Sequence, residues 1–85
     1  HMTYARRTNK LFWPAFNALI KGLDDPAPEV RFWSVFALWQ IHSPLALPHL
    51  RRVAQTDTAL CPGWWRVADE AQDAIASIEG RDEDI

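Results

Sequence analysis

The chain predicts an all-α fold, a short α-solenoid of two antiparallel helical hairpins with about four helices, and three observations predict it. Apolar residues recur at helical rather than alternating spacing through most of residues 10–80. Proline, aspartate and glycine gather at the breaks between those stretches. The second and fourth stretches align at Val30/Val67, Ala37/Ala74, Leu38/Ile75 and Ile41/Ile78, a period of 37 residues. Helix pairs that repeat at such a spacing bury their apolar stripes on one another. One domain is therefore expected over 10–80, with repeat one at about 10–42 and repeat two at about 43–80.

Residues 1–9, HMTYARRTN, are polar and read as a disordered N-terminal arm. His1 and Met2 read as a cloning scar, or as a scar His ahead of a native start Met. Thr8 or Asn9 is placed to cap a first helix from about Asn9 to Gly22, carried by Leu11, Phe12, Phe16, Ala18 and Leu19. Pro14 demands the first turn or a kink, and Gly22 suits a C-terminal stop. Asp24, Asp25, Pro26, Ala27 and Pro28 make a turn short enough to set the first two helices side by side and antiparallel.

The second helix, PEVRFWSVFALWQI over 28–41, is apolar on nearly every side. At 100° per residue, Val30, Ala37, Leu38 and Ile41 share one side with Trp33 at its margin, while Phe32, Val35, Phe36 and Trp39 cover the other. A helix greasy all round needs cover on more than one face. Ser43 with Pro44 opens a third helix over 44–55, with Leu45, Leu47, Leu50, Val53 and Ala54 inward, Arg51 and Arg52 outward, and a bend at Pro48. Thr56 to Gly63 is a loop. Trp64 to Ile78 is the fourth helix, stopped by Gly80 and followed by an acidic, solvated tail at 81–85.

Composition bounds the rest. Among 85 residues, 48% are apolar and 24% charged, with five Trp, four Phe and one Tyr. That is ordinary globular composition with a generous aromatic share. No run approaches the roughly 20 apolar residues of a membrane span, and no signal-peptide pattern appears, so a cytoplasmic setting without membrane contact is expected. A lone Cys61 excludes an internal disulfide and CxxC-based zinc. The net charge of −2 hides a basic start, with Arg6, Arg7, Lys10 and Lys21, and an acidic end. Four cations at one terminus fall short of the broad basic surface that nucleic acid requires.

At LDDPAPEVRFWSVFALWQIHSPLALPHLRRVA, residues 23–54, the chain resembles the HEAT repeats of the type found beside phycobilisome lyases. A "DPxPxVR" turn precedes an Ala-rich helix ending "AL..I", and "DPxALPxL" opens the next unit. VADEAQDAIASIEG, residues 67–80, is similar to the closing helix of the same repeat. The resemblance covers about residues 11–80 and implies fold more than activity. It implies a structural role for Asp25 and Arg31, whose counterparts bond turns and neighbouring repeats. Departures from the pattern are Trp39 and His42 where Gly is usual, Ser43 where Asp is usual, and Phe32 and Phe36 where Arg and Glu are usual. Ala68 replaces the second arginine, and the loop before it is expanded by CPGWW.

The candidate partner-binding residues are accordingly Phe32, Val35, Phe36 and Trp39, with Trp64 and Trp65 of the expanded loop. Two readings stand side by side. The stripe is covered by the amino end, the tail or the expanded loop, or it is an interface, where Trp and Phe dominate binding. His42, His49 and Cys61 match no metal-ligand or Cys–His spacing, so no cofactor, no metal and no catalysis are expected. The acidic Asp69, Glu70, Asp73 face reads as a solvated face able to receive a basic partner. The expected function is a non-catalytic protein-interaction or assembly module, acting on a protein partner or a second copy. The alternatives are a HEAT-like nucleic-acid-binding or base-removing protein, using Asp25 and Arg31, and an accessory protein of a chromophore-lyase type. Net negative charge and a two-repeat length weigh against the nucleic-acid alternative.

Overall fold

Pro28, Pro44 and Gly80 punctuate the chain, and the helices begin and end around them. A computed structural model describes residues 12–80; the arm at 1–9, the Thr8 or Asn9 cap, Leu11 and the tail at 81–85 lie outside the described residues. Four helices follow one another: α1 (Phe12–Gly22), α2 (Pro28–Ile41), α3 (Leu47–Thr56) and α4 (Val67–Glu79). Among the described residues there is no strand, only an isolated antiparallel bridge between Leu60 and Arg66. No helix among them is long and apolar enough to cross a membrane.

The α1–α2 crossing is set by Gly22, the last residue of α1, which lies against Ser34 of α2. A Cβ at Gly22 would overlap the Ser34 hydroxyl. The glycine thus permits close approach as well as ending the helix. Asp24 and Asp25 donate their backbone N–H groups to Lys21 and Gly22 carbonyls, at 3.0 and 3.2 Å. Asp25 Oδ1 then accepts from Ala27 N–H at 2.9 Å. This Asx turn presents Pro28 as the first residue of α2.

At its far end α2 stops on His42, held left-handed at φ 60°, ψ 40°, with its N–H on the Leu38 carbonyl at 3.0 Å. That is the conformation a glycine adopts without strain. The expected third helix divides here. Pro44–Ala46 forms a 3-10 turn capped by the Ser43 hydroxyl, and α3 starts only at Leu47. Pro48, expected to bend a longer helix, therefore falls in the first turn of a shorter one, where its missing N–H is harmless. The change also turns Leu45 outward and buries Ala46 in its place.

The fourth helix differs from expectation in the same way. It begins at Val67 rather than Trp64, because Arg66 is extended at φ −70°, ψ 149°. Val67 and Ala68 donate back to the Ala59 and Asp57 carbonyls at 3.0 and 2.9 Å, which pins the loop to the head of α4. Packing then joins α1 to α2, α3 to α4, and α4 to α2. One core results, from Phe32, Val35 and Leu38 of α2, Leu50 and Val53 of α3, and Val67, Ala71, Ala74 and Ile75 of α4, joined by Phe16 of α1 and Cys61. Burying a side chain the size of Phe32 contributes about 1.5–3 kcal/mol.

Candidate functional site

Two segments far apart in sequence build a single aromatic surface. On α2, Phe32, Phe36 and Trp39 follow the i, i+4, i+7 spacing of one helix side, and Trp33 reaches round from the next. The second segment is a tight turn, Cys61-Pro62-Gly63-Trp64. Trp64 N–H donates to the Cys61 carbonyl at 2.9 Å and Gly63 sits at φ 82°. Proline at the second position and left-handed glycine at the third define a type II turn. It delivers Trp64 and Trp65 onto α2, and Cys61 N–H closes the excursion on the Trp65 carbonyl at 3.2 Å.

The rings touch in an unbroken series. Trp65 meets Trp64 at 5.4 Å between centroids, Trp64 meets Trp33 at 5.5 Å, and Trp33 meets Phe36 at 5.7 Å. Phe36 meets Trp39 at 6.1 Å. All four contacts are close to perpendicular, the edge-to-face arrangement that contributes about 0.5–1.5 kcal/mol beyond burial. Phe32 lies beneath and touches Trp33, Trp64 and Trp65.

These six rings, with Glu70 and Asp73 of α4, line a cavity of about 470 Å³. Its size falls within the roughly 300–1,000 Å³ range of ligand pockets. Trp33, Phe36, Trp64 and Trp65 remain 43%, 38%, 50% and 44% exposed around it. The exposed rings form one contiguous apolar patch around the cavity.

The expected stripe is thus corrected in two places and extended in three. Phe32 is 1% exposed and Val35 is 0%. Val35 is core and does not line the cavity; Phe32 is its covered floor. The reason is that α4 packs against α2 on the side where Val35 lies, while the Trp64–Trp65 segment folds over Phe32. Phe36, Trp39, Trp64 and Trp65 come together around the cavity as a group. Trp33, Glu70 and Asp73 join them unforeseen. Trp33 had been set on the opposite margin of the helical wheel, and an indole is long enough to cross that margin.

Glu70 had been read as part of a solvated face, yet it is 2% exposed. Its Oε1 accepts a hydrogen bond from Trp65 Nε1–H at 2.8 Å. Burial pushes its carboxyl above the ordinary range, the Trp65 N–H opposes that, and the Asp73 carboxylate adds to it. The Glu70–Trp65 bond adds a side-chain tie between α4 and the residue that follows the turn.

Asp25 and Arg31 occupy a different place. Arg31 Nε and Nη2 form a forked pair with Asp57 at 2.6 and 3.2 Å, while Nη1 donates to the Asp25 and Pro26 carbonyls at 2.8 and 3.1 Å. The partner of the guanidinium is therefore Asp57, after α3, and Asp25 contributes its backbone. Hydrogen bonding to Asp57 outweighs desolvation and raises the Arg31 pKa. This cluster locks the turn before α2 to the loop after α3, and neither Asp25 nor Arg31 lines the aromatic cavity. Asp57 was missed because the 37-residue alignment pairs no acid with it.

His42 Nε2 lies 3.2 Å from the Ser77 hydroxyl, His49 is half-buried on α3, and Cys61 is buried. Among the described residues, no three His, Cys, Asp or Glu side chains come together as a metal site. No protein-family model, no curated protein and no solved structure matches the chain.

Proposed function

We propose that this chain is a short HEAT-type helical-repeat domain acting as a non-catalytic interaction or assembly module through its aromatic cavity. The hairpin pairing of α1 with α2 and α3 with α4, the packing of α2 on α4 and the 37-residue period support the repeat reading. One observation carries the functional reading. Four large aromatic side chains stay substantially exposed around one cavity although the Trp64–Trp65 segment already covers part of α2. Such anchors lose water and gain packing when an apolar surface meets them. The reading sets the protein in the cytoplasm, where a lone buried thiol at Cys61 stays reduced.

Panning the folded chain against a random peptide library tests this. Enriched peptides are expected, with binding weakened at least about ten-fold by Phe36→Asp or Trp64→Ala and unaffected by Gln55→Ala on exposed α3. Sedimentation over a wide concentration range asks in parallel whether the occupant is a second copy. A chain that enriches no peptide and stays monomeric throughout, or binders indifferent to both aromatic substitutions, would contradict the reading.

A further inference from the structure

We infer that the aromatic cavity receives an arginine side chain from a basic, partly apolar segment of a partner protein. This rests on the interface reading above and names the chemistry of its occupant.

The cavity's walls are indole and phenyl rings, and its two polar lining residues, Glu70 and Asp73, are both acids. Among the described residues that line it there is no cation. Ring faces carry negative quadrupole charge, so walls and acids favour the same kind of guest. An apolar guest would satisfy the rings but would lie against Asp73 and the buried Glu70 without compensating either. A positively charged group satisfies both.

Of the natural cations, guanidinium fits best. It is planar, more weakly hydrated than ammonium, stacks on aromatic faces and presents its N–H donors at the edge, where carboxylates accept them. The Trp65–Glu70 bond sets a carboxylate at the edge of the Trp65 indole, and Trp64 packs against Trp65, so rings and an acid adjoin in the same lining. Asp73, one helical turn along α4 from Glu70, is exposed and lines the same space. The raised Glu70 pKa agrees, since a nearby cation relieves what burial and Asp73 impose. The cavity has room for more than one side chain, so apolar neighbours of the arginine would occupy the Phe36 and Trp39 end.

The test uses fluorescein-labelled peptides in which one arginine is flanked by leucines, alongside counterparts with citrulline, leucine or trimethyl-lysine at that position. Anisotropy titrations on the whole chain are expected to give about ten-fold tighter binding for arginine than for citrulline, which has the same shape without the charge. Asp73→Asn, at an exposed site, should remove most of that preference and leave the circular dichroism spectrum unchanged. Raising salt to about 0.5 M should narrow it, because the rim of the site is solvated. Equal binding of arginine and citrulline, lost in Trp64→Ala, would overturn the inference and leave the apolar interface standing. Tighter binding of trimethyl-lysine would overturn it in favour of a quaternary ammonium guest. Failure of all four peptides would overturn it as well, and the library experiment then decides whether the interface reading falls with it.

Discussion

Glu70 sits where a carboxylate is least comfortable, enclosed by protein and beside a second acid, with the Trp65 indole N–H as a hydrogen-bond donor. Because burial raises its folded-state pKa above the ordinary value of about 4.3, the folded chain holds this proton more tightly than the unfolded chain does. The stability that Glu70 contributes is therefore complete below the unfolded pKa, and it is lost as pH rises through the folded one. Glu70→Gln keeps an acceptor for Trp65 and removes the charge. Chemical denaturation should show the variant gaining on the parent as pH is taken from about 4 to 7, with the difference flat above the raised pKa. A difference independent of pH would mean that the carboxyl is solvated. None of this was legible in the sequence, where Glu70 stands between Asp69 and Ala71 in a helix whose acids look uniformly solvated. Its hydrogen-bond donor, Trp65, stands five residues earlier, outside the helix. Arg31 was legible as structural, but its partner Asp57 was not, since the 37-residue alignment sets Ile20 opposite it.

At the scale of elements, the loop from Asp57 to Arg66 decides the site. Its turn depends on Gly63 at φ 82°, where no neighbour obstructs a side chain and only the backbone conformation objects. Gly63→Ala should cost about 1–2 kcal/mol, read as a shift in the denaturation midpoint, with a change in tryptophan fluorescence as Trp64 and Trp65 loosen. An unchanged midpoint and spectrum would remove the turn from the account. Helix existence and order could be read from periodicity, and the ends set by Pro28 and Gly80 came out as expected. Two helix starts could not. Pro44 and Pro48 together favour a 3-10 turn before α3, and Pro62-Gly63 delays α4 by three residues, because each proline removes a donor and glycine admits a left-handed turn. The first error came from running a helical period across Pro48, and the second from starting a helix directly after Gly63, where the turn and the extended Arg66 keep Trp64 and Trp65 out of it.

For the whole molecule, α2 is the element between others. Its all-round apolar surface was the clearest feature of the sequence, and the fold accounts for it with α1 on one side, α4 on another and the Trp64–Trp65 segment over part of the rest. What remains is the open aromatic cavity, so the excess that the sequence displayed is reduced by folding and then concentrated in one place. That cavity is anchored by the Trp65–Glu70 bond and stays accessible to solvent. Hydrogen exchange of the tryptophan indole N–H groups, followed by nuclear magnetic resonance on the ¹⁵N-labelled chain, measures both at once. The Trp65 indole is expected to exchange slowly, held by Glu70, and the Trp33 and Trp64 indoles to exchange faster. A Trp65 indole as fast as theirs, or Trp33 and Trp64 indoles equally protected, would contradict an anchored and open cavity.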